Sequence, residues 1–262
     1  MKTSSATQES ARQRQIEHVD ENADSEWRDL YIIAATAALI AVALFLIEIV
    51  GFSIWRQPTT VIGYFTLFQN NKLLGLFDFY LLDFLAFVFL IPVYLALYFA
   101  LRRTSRSWLL IATAVGFVGN TVYLVSNTAF CMLSLSGQYS AANTESQKAI
   151  YLAAGQVMLK LFNVTGLYVS YVFFSVWGVI ISFVMLRSKI FSKTTGRVGI
   201  VANAVALASI ALAFESVASG ALMAVSFIFL EVWLIMTAQT LLCEAHLKSE
   251  SSAAKAFLGE IS

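Results

Sequence analysis

Histidine is almost missing from this chain, and the gap removes whole classes of chemistry. His18 and His246 are the only two in 262 residues. One precedes the first long apolar run and the other follows the last, so neither reaches a membrane interior. A metal hydrolase needs several His or carboxylate ligands converging on one ion. Haem held between intramembrane histidines needs them at matching depth. Neither is expected, and no cofactor or metal is. Cysteine is as scarce. Cys131 and Cys243 form no C-x-x-C, fall near opposite faces of the bundle derived below and predict no disulfide. Proline occurs only at Pro58 and Pro92. Charged residues make up 13% of the chain, against about 25% in soluble domains. No phosphate loop is present, because Gly116-Phe117-Val118-Gly119 lies inside an apolar run, and no nucleic-acid partner is expected.

What fills the chain is hydrocarbon. Residues are 59% hydrophobic and mean hydropathy is +0.75. Six long apolar runs occupy residues 30–52, 74–101, 108–128, 167–186, 198–214 and 221–243. A helix needs roughly 17–25 such residues to cross the bilayer core, and only a helix satisfies its own backbone there. The expected fold is all-α: an integral membrane bundle of six transmembrane helices. Residues 1–29, with seven Asp/Glu and four Lys/Arg, read as a flexible cytoplasmic N-terminal tail. Residues 30–243 form the membrane domain, and 244–262 a cytoplasmic C-terminal tail. A short acidic turn around Glu215 joins the last two spans.

Basic residues orient the bundle. Thirteen of the 17 Lys/Arg lie in the two tails and the turns after the second and fourth spans. Arg56, Lys72, Lys148 and Lys160 occupy the other gaps. The positive-inside rule then puts both termini in the cytoplasm and the protein in the cell membrane.

The outer gaps carry structure of their own. Val61-Ile62-Gly63-Tyr64-Phe65 starts a run too short to cross, and an interfacial or re-entrant piece is expected. In the gap between spans three and four, Thr144-Glu145-Ser146-Gln147 reads as a capping box. Ile150, Ala154, Val157, Met158 and Leu161 then recur at helical spacing. This predicts an outer amphipathic helix between helices 3 and 4, broken from the fourth span at Asn163-Val164-Thr165-Gly166. A faint repeat pairs the second and third spans with the fourth and fifth, matching AVGFVGN ending at Asn120 with RVGIVAN ending at Asn203.

The segments LIPVYLALYFALRRTS, YLVSNTAFCMLSLSGQY, AIYLAAGQ and VSYVFFSVWGVIISFVMLRSKIFSKTTGRVGI together resemble a bacterial and archaeal multi-pass membrane family catalogued as a domain of unknown function. The likeness covers roughly residues 60–240. It implies a compact bundle of about six helices and brings no activity, substrate or site residue.

Ionisable residues in a span cost several kcal/mol to insert and mark function by default. Four acids qualify: Glu48, Asp78, Asp83 and Glu231. Asn120, Tyr123 and Asn127 follow at spacings of three and four on one helix face. No Lys, Arg or His lies within the six runs to neutralise the acids. These seven residues are the candidate binding site: a polar, acid-lined pocket opening outward for a small solute or cation. Hydrogen bonding between helices is the structural alternative for the same residues. A non-catalytic structural or regulatory subunit is a second reading. The small-residue stripes Ala34, Ala38, Ala41 and Ala202, Ala204, Ala206, Ala208 would serve it, or internal packing. Catalysis is disfavoured because Ser126, Ser170, Ser175 and Ser182 have no base in sight.

Overall fold

The computed structural model describes the backbone of residues 3–212 and 217–261, and side chains for 27–212 and 221–250. Every regular element is helical, and there is no strand among the described residues. Among the described residues six helices are long and apolar enough to cross a membrane: Trp27–Ile54, Leu81–Leu101, Arg106–Ala141, Glu145–Arg187, Lys193–Leu212 and Ala221–Glu250. The turn expected around Glu215 lies outside the described residues.

The spans sit in α1 (Thr3–Ile54), α4 (Leu81–Leu101), α5 (Arg106–Ser126), α8 (Ser170–Arg187), α9 (Lys193–Leu212) and α10 (Val217–Ile261). Backbone of the segment read as a flexible tail is therefore helical from Thr3, in keeping with its Ala, Glu, Gln and Arg content. Four shorter helices, α2 (Val61–Asn70), α3 (Lys72–Asp78), α6 (Ala129–Ala141) and α7 (Glu145–Leu161), pack on one another as a cap at one end of the bundle.

The spans close a ring. Each packs on two neighbours in the order α1, α4, α5, α8, α9, α10 and back to α1. Close approach depends on small residues. Ala34, Ala38 and Ala41 are fully buried, so the first stripe serves internal packing, whereas Ala204 and Ala208 face outward. At Gly199 an added Cβ would lie 2.1 Å from Ser182 Oγ and 2.4 Å from Trp233 Nε1. Its missing side chain lets α8, α9 and α10 meet. At the opposite end from the cap, the Arg102 guanidinium lies 5.1 Å from the rings of both Trp27 and Phe99, tying the start of the first span to the end of the second.

Three expectations need correction. The second span starts at Leu81, not Leu74. Asn71 caps α3 through its side chain, α3 ends at Asp78, and Tyr80 then turns the chain with φ 60 and ψ 40. A left-handed conformation costs a side-chain-bearing residue roughly 1–2 kcal/mol. Phe52 and Phe162 pack on the Tyr80 ring, each at 5.2 Å between centroids, and hold it there.

The amphipathic helix is present as α7 with the expected N-cap, Gln147 N donating to Thr144 Oγ1 at 3.2 Å. It buries a different face. Ile150, Val157 and Leu161 are exposed, while Leu152, Gly155, Met158 and Leu159 turn inward. Two apolar stripes compete on this helix. The one containing Gly155 wins because it admits Val61 and Phe65 of α2, which an alanine Cβ would meet at 2.5 and 2.9 Å.

Asn163–Gly166 does not break the chain. Residues Phe162–Val169 wind as a π-helix that runs straight into α8. Wider turns free backbone carbonyls, and the buried Ser170 hydroxyl donates to those of Gly166 and Leu167. A helix that must remain hydrogen-bonded in hydrocarbon absorbs the irregularity this way instead of ending.

Candidate functional site

The sharpest convergence lies inside the ring, just below the cap. Glu48 stands near the end of α1, and Asp83 in the first turn of α4. Their carboxyl groups are in hydrogen-bonding contact. Two carboxyls in contact need a proton between them, since neither oxygen is otherwise a donor. Tyr123 of α5 donates its hydroxyl to Asp83 Oδ2 at 3.1 Å. The Tyr171 hydroxyl of α8 is a further hydrogen-bond neighbour of Asp83. Four of the six spans thus meet at one carboxylic acid. Glu48, Asp83 and Tyr123 are all at most 4% exposed. The ion pairs Arg28–Asp29 and Lys148–Glu145 lie elsewhere.

Glu231 of α10 is 6% exposed and within electrostatic reach of Asp83. Among the described residues neither of its oxygens has a hydrogen-bond partner, and neither does Glu48 Oε1. Asn120 sits one turn deeper than Tyr123 on the same face of α5, with Oδ1 also unpartnered. The three-residue spacing read from the sequence therefore does bring Asn120 and Tyr123 to one buried face. Asn127 parts from them. The helix ends at Ser126, and Asn127 holds the turn instead: its Oδ1 accepts from Ala129 N at 3.1 Å, and its Nδ2 donates to the Tyr80 carbonyl at 3.4 Å.

Asp78 belongs to the cap, outside the spans. It is 2% exposed, and burial pushes its carboxyl above the usual range. Gln57 Nε2 donates to its backbone carbonyl at 3.0 Å. Tyr64 is pushed up to about 12, first by burial and then by the charge of Asp78. Tyr80 is raised by burial and by the charges of Asp83, Tyr64 and Glu48, against a hydrogen bond with the Gln57 side chain. Asp78, Tyr64, Gln57 and Tyr80 thus form a polar file between the cap and the carboxyl pair.

Below the pair is a cavity of about 80 Å³ on the ring's inner side. Phe45 of α1 and Phe87 of α4, one turn below Glu48 and Asp83, form its upper wall with Tyr171 and Phe174 of α8. None of the seven sequence candidates lines it. Tyr171 links both places: its hydroxyl is a neighbour of Asp83 and its side chain lines the cavity. Sequence reasoning did not single it out, since a tyrosine in an apolar run looks like core. Asn203 also lines the cavity, and its place in the repeat opposite Asn120 was the available signal. Among the described residues no three of His, Cys, Asp and Glu stand together as metal ligands.

Residues 29–238 match the family described as Domain of unknown function (DUF4386). That stretch overlaps all six candidate membrane spans, and the chain belongs to this family. No curated protein and no solved structure matches it.

Proposed function

We propose that this DUF4386 protein binds a proton or small cation at the Glu48–Asp83 pair and uses that occupancy to move a small solute across the cell membrane. The observation that carries the reading is the contact of two buried carboxyl groups with no cationic side chain paired to them among the described residues. Such a pair costs free energy unless a proton or cation sits with it, so its occupancy is tied to which face of the membrane supplies the ion. The polar file from Asp78 to Tyr80 supports access from the cap side. Basic residues in the turns around Arg102–Arg106 and Arg187–Arg197 support both termini facing the cytoplasm, with the cap outside.

A non-catalytic structural or regulatory subunit is the competing reading. It is favoured by the same Tyr123–Asp83 bond, because a protonated acid bonded to tyrosines also pins helices together. Purified Asp83→Asn and Glu231→Gln proteins in lipid nanodiscs separate the two. On the transport reading both variants fold, and the shift in Tm that wild type shows on titrating pH or sodium is lost in Asp83→Asn. Variants that unfold, or that titrate like wild type, leave the structural reading.

A further inference from the structure

The lipid-facing flank of α5 carries an open groove. It holds about 440 Å³, against roughly 150 Å³ for a cavity that takes benzene, so it has room for a length of chain. Phe117, Val118, Val122 and Val125 form its apolar wall, and Thr121, Ser126 and Thr165 add three hydroxyl-bearing side chains. Thr165 comes from the π-wound Phe162–Val169, which meets α5 at Gly166: an added Cβ there would lie 3.3 Å from Ser126 Cβ. The wide turn that the sequence reads as a break thus presents a threonine to the groove.

These hydroxyls are unmet. Helix serines and threonines ordinarily bond a carbonyl of their own helix, as Ser170, Ser209 and Thr240 do. Among the described residues Thr121, Ser126 and Thr165 make no such bond. Thr121 is exposed and Thr165 half-buried. A hydroxyl bared to hydrocarbon costs free energy until it finds a partner. What a phospholipid offers it is an acceptor, the ester carbonyl at the head of each chain.

Depth agrees. α5 runs 21 residues from Arg106 to Ser126, about 30 Å at 1.5 Å per residue, which is one hydrocarbon thickness. Ser126, and with it the Gly166 contact, therefore stands at the cap-side boundary of the hydrocarbon. Thr121 lies about 7–8 Å below it. Ester carbonyls gather at that boundary, and their chains run inward as the valines of the groove do. Lys160 precedes Thr165 by five residues on the same unbroken helix, on the headgroup side. It has no ion-pair partner among the described residues.

We propose that the groove between α5 and Phe162–Val169 is a specific site for one anionic phospholipid of the cap-side leaflet. Its ester carbonyls accept from Thr165 and, deeper, Thr121. The valines hold the chain, and Lys160 takes the phosphate. The site does not rest on the ion-binding reading of Glu48 and Asp83.

Native mass spectrometry of the full-length protein, released from nanodiscs of defined lipid, counts what stays bound. Wild type should retain one dioleoyl phosphatidylglycerol, with apparent affinity about fivefold above the ether-linked analogue that lacks the carbonyls. Thr121→Val with Thr165→Val keeps the shape and should erase that preference. Val118 and Val125 are exposed, so Val118→Trp, or independently Val125→Trp, fills the groove without disturbing the bundle and should abolish retention. Lys160→Gln should erase the preference for phosphatidylglycerol over phosphatidylcholine. Retention unchanged in both filled variants means annular lipid only and overturns the site. Equal ester and ether affinities in wild type, or a preference that survives the two valines, overturns the carbonyl contact, and an unchanged headgroup preference overturns the Lys160 contact. A wild-type dimer that the filled variants split would place a second copy in the groove and overturn the lipid reading.

Discussion

Tyr123 Oη and Asp83 Oδ2 lie 3.1 Å apart, joining two spans forty residues distant in sequence at the depth where Glu48 also arrives. The bond gives the acid a donor and gives a tyrosine buried to 0% exposure its partner. It also places the Tyr123 ring 4.3 Å from Phe87 and 6.1 Å from Phe162, which packs against the Tyr80 turn. Chemistry at Asp83 is therefore in packing contact with both the cavity wall and the cap.

Removing either end of that bond has unequal costs. Tyr123→Phe should lower stability by about 0.6 kcal/mol, the average for hydrogen bonds between membrane helices. Asp83→Leu should cost about 1–3 kcal/mol because it strands the hydroxyls of Tyr123 and Tyr171. Asp83→Asn keeps an acceptor and should fall between. Thermal unfolding in nanodiscs ranks the three, and an Asp83→Leu protein as stable as wild type would contradict the network.

Glycines should divide by what surrounds them. Gly199→Ala puts a methyl into Ser182 and Trp233, where the indole is buried, and should destabilise by about 1–3 kcal/mol. Gly137→Ala, on the exposed face of α6 with nothing within 4 Å, should instead stabilise by roughly 0.5–1 kcal/mol. The same unfolding assay decides both signs.

Asp78 should make the cap sensitive to pH. Burial raises its folded-state pKa above that of the unfolded chain, so the folded cap holds the proton more tightly. No cost is felt below the ordinary Asp value near 4. As pH rises through the raised value, stability is lost. Amide exchange in α3, corrected for intrinsic rate, should lose protection over that rise, and Asp78→Asn should flatten the profile.

Membrane orientation can be tested with two introduced thiols. Both native cysteines are exposed, so they are first replaced by serine. Lys148→Cys on the cap should then react with an impermeant maleimide on intact cells. Lys189→Cys, in the turn after α8, should react only after permeabilisation. The reverse pattern would invert the positive-inside reading.

Legibility in the sequence followed the physics of each feature. The capping of α7 by Thr144 is local, set by residues three apart, and could be read in advance. The face α7 buries could not, because that choice depends on α2 reaching Gly155. Asn127 looked like the third member of a polar face, but the helix stops one residue before it and the side chain serves the turn. The π-wound Phe162–Val169 looked like a break because Asn, Thr and Gly favour turns in water, whereas Ser170 supplies the bonds that carry it through.

Span number, helical class and the scarcity of metal-binding side chains were determined by composition alone, because a bilayer enforces one hydrogen-bonding solution on any long apolar run. Which acid meets which hydroxyl was not. Glu48, Asp83, Tyr123 and Tyr171 come from four separate helices, and only the order in which the spans close their ring brings them to one point. Ring order is decided by side-chain packing between helices, at glycines such as Gly199 and alanines such as Ala38. That information is distributed over the whole chain and becomes visible only once the helices are in contact.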